Sequence, residues 1–313
     1  MSDIPVNVDN FVRAESDRMF AAIQQQAGRA NHWFHYREPT PVDRQTVIRM
    51  NRDTLYSGAI VDISAGASLT IPVAGRRYVS VMIVNQDHYV NAVFHDPGEH
   101  ELTIEQFGTP HVLAAARVLV DPADSADVAT VNALQGELGL KAGSARLFVP
   151  PDYDQASLDS TRAALLELGK DLHGFEGSFG AKDEVNPVHH LIATAGGWGG
   201  LPGHEATYLN VNPGLPPGEY QLTVRDVPVD GFWSISLYNA AGYFEPSNRG
   251  AYSVNNLTAT PNEDGSVTVH FGGCGDGRPN CLPIMDGWNY LVRLYRPRAE
   301  ILDGTWTFPA IGT

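Results

Sequence analysis

Short apolar segments rich in β-branched and aromatic residues fill most of residues 58–120, and they constrain the fold more than any other feature. Turn-forming residues separate most of these segments, as at Asp96-Pro97-Gly98 and Gly108-Thr109-Pro110. The segments cover residues 59–63, 68–71, 78–84, 88–94, 100–104 and 112–120. Short strands with turns at a spacing of about 8–12 residues are typical of a β-sandwich or barrel.

A second β-rich region follows residue 206. Residues 220–225 and 266–271 alternate between apolar and polar side chains, and residues 231–239 and 288–296 are two further predicted strands. A short strand at residues 145–149 and a flexible glycine-rich loop at residues 196–200 are also predicted. Helical patterns cover residues 8–28, 125–138 and 158–174.

These patterns predict a mainly β fold. We expect two β-sandwich or jelly-roll-like lobes with a few peripheral and linking helices. The predicted domains are residues 1–150, a β-rich module with a leading helix, and residues 151–313, a helical linker followed by a C-terminal β-sandwich module.

The net charge limits the classes of molecule that the protein is expected to bind. The formal net charge is -15, which argues against binding to nucleic acid or to an anionic membrane surface. No apolar stretch of about 18 residues could span a bilayer. The first five residues lack the basic and apolar regions of a signal peptide, so a cytoplasmic location is expected.

Two cysteines, Cys274 and Cys281, lie seven residues apart. They could close a small loop, but in a reducing compartment free thiols are expected. A zinc site would need further metal ligands at close spacing, and none is evident. No phosphate-cradling glycine loop is present either, so neither a metal nor a cofactor is predicted.

The stretch Asn51-Arg52-Asp53-Thr54-Leu55-Tyr56-Ser57-Gly58 places a dense set of polar groups directly before an apolar strand. Scaffolds often present chemistry at such a position. Asp53 could act as a general base, Arg52 could anchor an anionic or carbonyl oxygen, and Tyr56 could donate a proton. Alternatively, these side chains satisfy backbone groups at the strand entry, with Arg52 paired to Asp53 for structure.

Among the histidines, His88 is the strongest candidate for a functional role. The segment Asp87-His88-Tyr89 directly follows an apolar strand, so His88 is expected at a strand end, as the Asn51–Gly58 stretch is. His95 and His100 flank a predicted hairpin turn, where solvated surface histidines are the simpler interpretation.

In the second β-rich region, one strand carries two different faces. Ser234, Ser236 and Tyr238 share one face, while Trp233 lies on the opposite, apolar face. Arg293 lies on the polar face of another strand. These polar faces are expected to meet solvent, with the wall of a ligand cavity as the alternative.

Several of these segments resemble two known modules. The first half is similar to the N-terminal module catalogued as domain of unknown function 1254, on residues 51–57, 62–64, 69–72 and 75–78. The second half is similar to its usual companion, domain of unknown function 1214, on residues 231–239, 264–267, 282–283, 293–297 and 302–306. The resemblance implies β-rich, sandwich-like lobes. The chain departs from the usual Asn-Trp-Leu-Pro motif, which reads Asn280-Cys281-Leu282-Pro283 here.

Two hypotheses for the function follow. The first is a cofactor-independent hydrolase or lyase that acts on a small polar or carbohydrate-like molecule in a cleft between the lobes. The second is a non-catalytic protein that uses the same cleft for ligand binding or interaction. Self-association is left open. The catalytic candidates are Asp53, Arg52, Tyr56 and His88, and the substrate-binding candidates are Asn51, Ser57, Trp233, Tyr238 and Arg293.

Overall fold

The computed structural model describes residues 3–172 and 174–312. Its strands are β1 Phe34–His35, β2 Thr54–Asp62, β3 Ala67–Ile71, β4 Val79–Asn85, β5 Val90–Phe94, β6 Gly98–Leu102, β7 His111–Leu119, β8 Gly139–Ala142, β9 Ala206–Val211, β10 Tyr220–Val224, β11 Trp233–Tyr238, β12 Ser253–Asn255, β13 Val267–Phe271, β14 Cys281–Leu282 and β15 Asn289–Tyr295. Its α-helices are α1 Phe11–Ala27, α2 Ile104–Phe107, α3 Ser125–Gly136, α4 Gln155–Gly169, α5 Pro187–Gly197 and α6 Ala299–Leu302. The predicted mainly β class is confirmed.

The described residues form two compact units, each built from several segments of the chain. Unit 1 lies within residues 1–36, 56–118 and 132–203, and unit 2 within residues 37–55, 119–131 and 204–313. The domain boundary predicted after residue 150 falls inside unit 1. The segment 37–55, which comes early in the chain, belongs to unit 2.

Unit 1 contains a five-stranded sheet of order β1-β2-β7-β4-β5 and a three-stranded sheet of order β6-β3-β8. Every residue of β4 is buried, which explains why its sequence is an almost continuous apolar run. Helices α1, α4 and α5 pack on one another through a separate apolar cluster that includes Phe11, Leu158 and Leu165.

Two local predictions for unit 1 are wrong. Residues 145–149 form no strand, and β8 lies just before them at Gly139–Ala142. The glycines at 196 and 197 end helix α5 instead of belonging wholly to a loop. The sequence carried the start signal of this helix, because the side chain of Asn186 caps it and Pro187 occupies its first turn.

Unit 2 is a sandwich of two sheets around one apolar core. Its four-stranded sheet has the order β12-β11-β15-β9, and its three-stranded sheet has the order β10-β13-β14. Trp233 and Val292 of the larger sheet share the core with Val269 and Phe271 of the smaller one. The alternation of β11 and β15 therefore places one face in the core, as predicted.

The other face of the larger sheet is polar but buried, so the prediction that it meets solvent is wrong. Ser234, Ser236 and Tyr238 have no exposed surface, and Arg293 is 2% exposed. Segment 37–55 covers this face, as the phenol of Tyr238 shows by donating a hydrogen bond of 2.7 Å to the Met50 carbonyl.

The two cysteines are joined as a disulfide, so the prediction of free thiols is also wrong. Cys274 lies in a short 3-10 turn and Cys281 begins β14, with their Cα atoms 5.6 Å apart. The prediction of free thiols relied on an expected reducing compartment, whereas stable disulfides are typical of oxidising ones.

Hydrogen bonds to Asp62 connect the end of β2 with the loop after β8. Its carboxylate accepts hydrogen bonds from the backbone N–H groups of Ser64 (3.1 Å) and Arg146 (2.7 Å) and from the hydroxyls of Ser64 and Ser144. Burial by itself raises the pKa of Asp62, but these hydrogen bonds outweigh it and hold the pKa well below its usual range.

We therefore expect Asp62→Asn to lower the free energy of unfolding at pH 7 by about 2–3 kcal/mol. The NH2 group of the new amide would face N–H and hydroxyl groups that now donate to the carboxylate, so some of these donors would lose their acceptor. The depressed pKa stabilises the fold above the unfolded-state pKa of about 3.9, and this contribution is lost as the pH falls below it. Urea denaturation of both proteins at pH 7 and pH 3 measures the effect. A difference that does not shrink at pH 3 would contradict it.

Thiol titration in denaturant should detect no free cysteine before reduction. Opening a loop of this length by Cys281→Ser should lower the free energy of unfolding by about 2.5 kcal/mol, measured by urea denaturation without reductant. Adding reductant to the unaltered protein should reproduce the loss, and two reactive thiols in the untreated protein would contradict the pairing.

Candidate functional site

The side chain of Asn51 sets the backbone just before β2. Its Oδ1 accepts from the Asp53 N–H at 2.8 Å, and its Nδ2 donates to the hydroxyls of Thr54 (3.2 Å) and Tyr295 (3.1 Å). Such a side-chain turn favours neither a helix nor an extended strand at residues 51–53. The turn directs Asp53 towards the polar face of the sheet in unit 2.

Asp53 is fully buried, and its two carboxylate oxygens differ. Oδ1 accepts hydrogen bonds from the Ser253 hydroxyl at 2.9 Å and from the Asn255 amide at 3.0 Å. Oδ2 is buried and has no hydrogen-bond partner among the described residues. The carboxylate is thus oriented through one oxygen and leaves the other available.

Arg52 is partly exposed and does not form an ion pair with Asp53 within the described part of the chain. Its Nη1 donates to the Thr40 carbonyl, and its guanidinium lies 5.1 Å from the centre of the Tyr252 ring. Its Nε is buried without a partner among the described residues. Burial lowers the pKa of Arg52, while Tyr252 and Asp53 oppose that shift.

Arg293 connects the sheet with the segment that covers it. Its guanidinium donates to the Ser236 hydroxyl (2.7 Å), the Tyr238 oxygen (2.8 Å) and the carbonyls of Arg49 (2.9 Å) and Met50 (3.2 Å). Burial by itself lowers the pKa of Arg293, but its neighbours, first Tyr238, raise it above the usual value. Arg293 is therefore a charged group with a mainly structural set of bonds.

Arg49 and Ser234 complete this set of residues. We call the set the Asp53 cluster, and its members are Arg49, Arg52, Asp53, Ser234, Ser253, Asn255 and Arg293. Arg49 lies 5.6 Å from the Tyr238 ring centre and has a buried Nη1 with no partner among the described residues. Ser234 lies opposite Asn255 and Arg293 in the sheet register, and its buried hydroxyl also lacks a described partner. The cluster thus contains unused donors and an unused acceptor.

The structure separates the other predicted site residues from this cluster. Tyr56 and Ser57 belong to unit 1, where the Tyr56 ring lies 5.6 Å from the Arg117 guanidinium and the Ser57 hydroxyl bonds to His35. Trp233 packs in the apolar core of unit 2. Asn51 and Asp53 are hydrogen-bonded to each other, as are Tyr238 and Arg293, and Asp53 lies near enough to Tyr238 and Arg293 to act on both electrostatically.

His88 lies in unit 1 at the strand end where it was expected, and it is fully buried. Its Nδ1 is 2.8 Å from the Thr194 hydroxyl, which itself donates to the His190 carbonyl, so Nδ1 must carry the proton. Nε2 accepts from the Gly199 N–H at 2.8 Å, and the ring stacks on Trp198. This geometry describes a neutral structural histidine with both nitrogens in use.

Sequence reasoning missed four members of the Asp53 cluster as site residues: Arg49, Ser234, Ser253 and Asn255. Ser234 was visible as part of a polar strand face. Ser253 and Asn255 lie in a three-residue strand with no strong pattern of its own. Their role depends on a contact across about 200 residues of chain, for which one sequence contains no signal.

The described residues contain neither a metal-binding cluster nor a membrane-spanning helix. No group of three or more histidine, cysteine, aspartate or glutamate side chains among them is arranged to hold a metal ion. Within the same residues, every helix is too short or too polar to cross a bilayer.

Two family models match the chain. Residues 30–142 match the family described as a protein of unknown function, DUF1254, and residues 213–299 match the one described likewise as DUF1214. Arg49, Arg52 and Asp53 fall within the first match, while Ser234, Ser253, Asn255 and Arg293 fall within the second. No curated protein matches the chain.

Solved structures are similar to this chain. The VPA0106 protein from Vibrio parahaemolyticus is similar over 98% of this chain and 99% of that chain, with a TM-score of 0.71 and 16% identity. An uncharacterized protein from Burkholderia cenocepacia is similar over 91% of this chain and 84% of that chain, with a TM-score of 0.49 and 15% identity. At such identity, the Vibrio structure supports the fold alone.

His88→Phe should test the structural role of this histidine. Phenylalanine retains a ring against Trp198 but leaves the Gly199 N–H unsatisfied, so the free energy of unfolding should fall by about 2–3 kcal/mol at pH 8. Burial, and then the nearby His190, lower the pKa of His88 well below its usual value.

The same variant gives a pH signature. Below the unfolded-state pKa of about 6.5, only the unfolded chain takes up this proton, so the original protein should lose about 1.4 kcal/mol per pH unit that His88→Phe does not lose. Urea denaturation between pH 8 and pH 5 measures both slopes. Parallel slopes would contradict a neutral His88.

Proposed function

We propose that this protein, whose chain combines a DUF1254 domain at residues 30–142 with a DUF1214 domain at residues 213–299, binds a small polar molecule at the Asp53 cluster. The observation that carries the proposal is the unused Oδ2 of Asp53. This oxygen belongs to a fully buried carboxylate whose other oxygen already holds two donors. A ligand group that donates a hydrogen bond would complete it.

Burying polar groups without hydrogen-bond partners is energetically costly. Each such group costs about 1–3 kcal/mol, and a charged one costs more. Folded proteins therefore contain few of them, and the exceptions often have a role in binding or catalysis. The Asp53 cluster contains three different kinds: an acceptor at Asp53, a donor at Arg52 and a hydroxyl at Ser234.

The chemistry of these groups describes the ligand in outline. A carboxylate oxygen calls for a hydroxyl or amine, a guanidinium N–H calls for an oxygen acceptor, and a serine hydroxyl serves either. A small molecule with several oxygens suits all three. Arg52 and Tyr252 are partly exposed, whereas Asp53 is fully buried.

The orientation of Asp53 favours catalysis as a second candidate. Ser253 and Asn255 fix Oδ1, so Oδ2 is held ready to accept a proton as a general base, while Arg52 could stabilise negative charge on a substrate carbonyl oxygen. A lyase reaction suits this pair better than hydrolysis with His88 as the acid, because both His88 nitrogens already have protein partners.

Asp53→Asn should test both candidates. The amide keeps the size and the Oδ1 bonds but presents a donor where Oδ2 accepted, so ligand affinity should fall at least about 30-fold. Thermal-shift and calorimetric titrations with a panel of sugars, polyols and their acids measure binding, and product analysis on the same panel measures turnover.

Asp286→Asn is the matched control, because it makes the same chemical change at an exposed carboxylate of unit 2. This control should bind like the unaltered protein. Equal binding by Asp53→Asn would remove the Asp53 cluster as the site. Normal binding without turnover in the unaltered protein would leave the binding function and exclude the catalytic one for that panel.

A further inference from the structure

We propose that the ligand of the Asp53 cluster is a small hydroxy acid, such as a sugar acid, with its carboxylate at Arg52 and a hydroxyl at Asp53. This inference rests on the proposed function of the same site and adds the chemical class of the ligand. It follows from the balance of charge, from the unused donors and from the nature of the unused acceptor.

The cluster contains more positive than negative charge. Arg49, Arg52 and Arg293 contribute three guanidinium groups, and Asp53 contributes the one carboxylate. None of the three arginines forms an ion pair with an acidic side chain in the described residues. Buried charges are normally paired, so an anionic group from outside the chain is the missing partner.

The unused donors belong to Arg49 and Arg52 and not to Arg293. Arg293 directs its bonds to a hydroxyl, a phenol and two carbonyls, so both of its terminal nitrogens have protein partners. Arg52 Nε and Arg49 Nη1 are buried and have no such partner. Of the two, Arg52 is the direct chain neighbour of Asp53.

The backbone at Arg49 supports a built site. Its φ of +54° is in the left-handed region, which is uncommon for residues other than glycine. The Arg49 N–H donates to the Gly242 carbonyl at 2.8 Å, and its own carbonyl accepts from Arg293. Such conformations persist where surrounding bonds over-determine them, and they are frequent at ligand sites.

A carboxylate suits this cluster better than a phosphate. A phosphate monoester carries about two negative charges near neutral pH, and Asp53 would lie beside it as a further, fully buried anion. A carboxylate carries a single charge and matches the planar donor geometry of a guanidinium. Because Asp53 repels a dianion more strongly than a monoanion, we expect a carboxylate, and galactose 6-phosphate tests the opposite case, in which the excess positive charge of the cluster favours a dianion.

A hydroxyl suits Asp53 better than an ammonium group does. Both can donate to Oδ2, but an ammonium would add a positive charge to a cluster that already has three. A hydroxyl donates to Oδ2 of Asp53 without adding a charge. Ser234, a further hydroxyl, lies opposite Asn255, whose amide donates to Asp53. The combination of a carboxylate and neighbouring hydroxyls defines a hydroxy acid.

Matched ligands separate these choices in one calorimetric experiment at neutral pH. The six-carbon set is galacturonate, galactose and galactose 6-phosphate, and the three-carbon set is lactate, propane-1,2-diol and alanine. We expect at least one acid, galacturonate or lactate, to bind. The neutral member of that set, galactose or propane-1,2-diol, lacks the charge-assisted contact and should bind at least about 30-fold more weakly. The remaining member, galactose 6-phosphate or alanine, should also bind more weakly than the acid.

Arg52→Gln should weaken binding of the acid at least about 30-fold, and Arg249→Gln, at an exposed arginine of unit 2, should not. Because Arg52→Gln also loses contacts with Thr40 and Tyr252, Arg52→Lys is included to retain the charge. It should bind the acid more tightly than Arg52→Gln. If both variants are folded and lose the same binding, charge recognition by Arg52 is excluded.

The remaining outcomes distinguish this inference from the proposed function. If galactose binds as well as galacturonate and Asp53→Asn abolishes both, the site is correct and the hydroxy-acid class is wrong. If a phosphate or alanine binds more tightly than its acid, the class is likewise wrong. If no member of either set binds, or binding is unaffected by Asp53→Asn, both proposals fail.

Discussion

The polar face of the larger sheet in unit 2 depends on the hydrogen bonds of the buried Arg293 guanidinium. Arg293 lies on β15 and bonds to β11 on one side and to the carbonyls of Arg49 and Met50 on the other. A buried charge that loses its partners costs several kcal/mol, so the covering segment is held firmly in place. The left-handed turn at Arg49 and the position of Asp53 follow from this connection.

The same connection gives a physical reason why the two family domains occur in one chain. The DUF1214 part builds a sheet with one apolar face and one polar face, and the polar face is covered by residues from the DUF1254 part. Within unit 2, Oδ1 of Asp53 from the first part accepts hydrogen bonds from Ser253 and Asn255 of the second. Neither part alone contains the cluster.

Much of the fold and part of the site could be predicted from the sequence, because the relevant signals are local. Alternation along β11 correctly placed Trp233 in the core and Ser234 on the other face. Asp53 was identified as a candidate because it stands at a strand entry. The disulfide could not be decided in the same way, since a spacing of seven residues permits both a loop and free thiols.

For His88, the neighbouring sequence predicted the position but not the hydrogen-bond partners. The sequence placed it correctly at the end of a buried strand, where a catalytic residue could lie. Its chemistry is set by Thr194 and Gly199, more than 100 residues further along the chain. These partners use both ring nitrogens, and one sequence cannot show which distant groups will do so.

The sequence by itself determined which side chains share a strand face, because that depends only on the two-residue period of a β-strand. Only the tertiary structure decided what each face meets. Segment 37–55 returns to a sheet formed about 200 residues later, and the hydrogen bonds it makes turn an apparently solvent-facing surface into a buried polar cluster. Whether Asp53 lies in water or beneath a covering segment is a question of long-range packing, and its unused oxygen is a consequence of that packing.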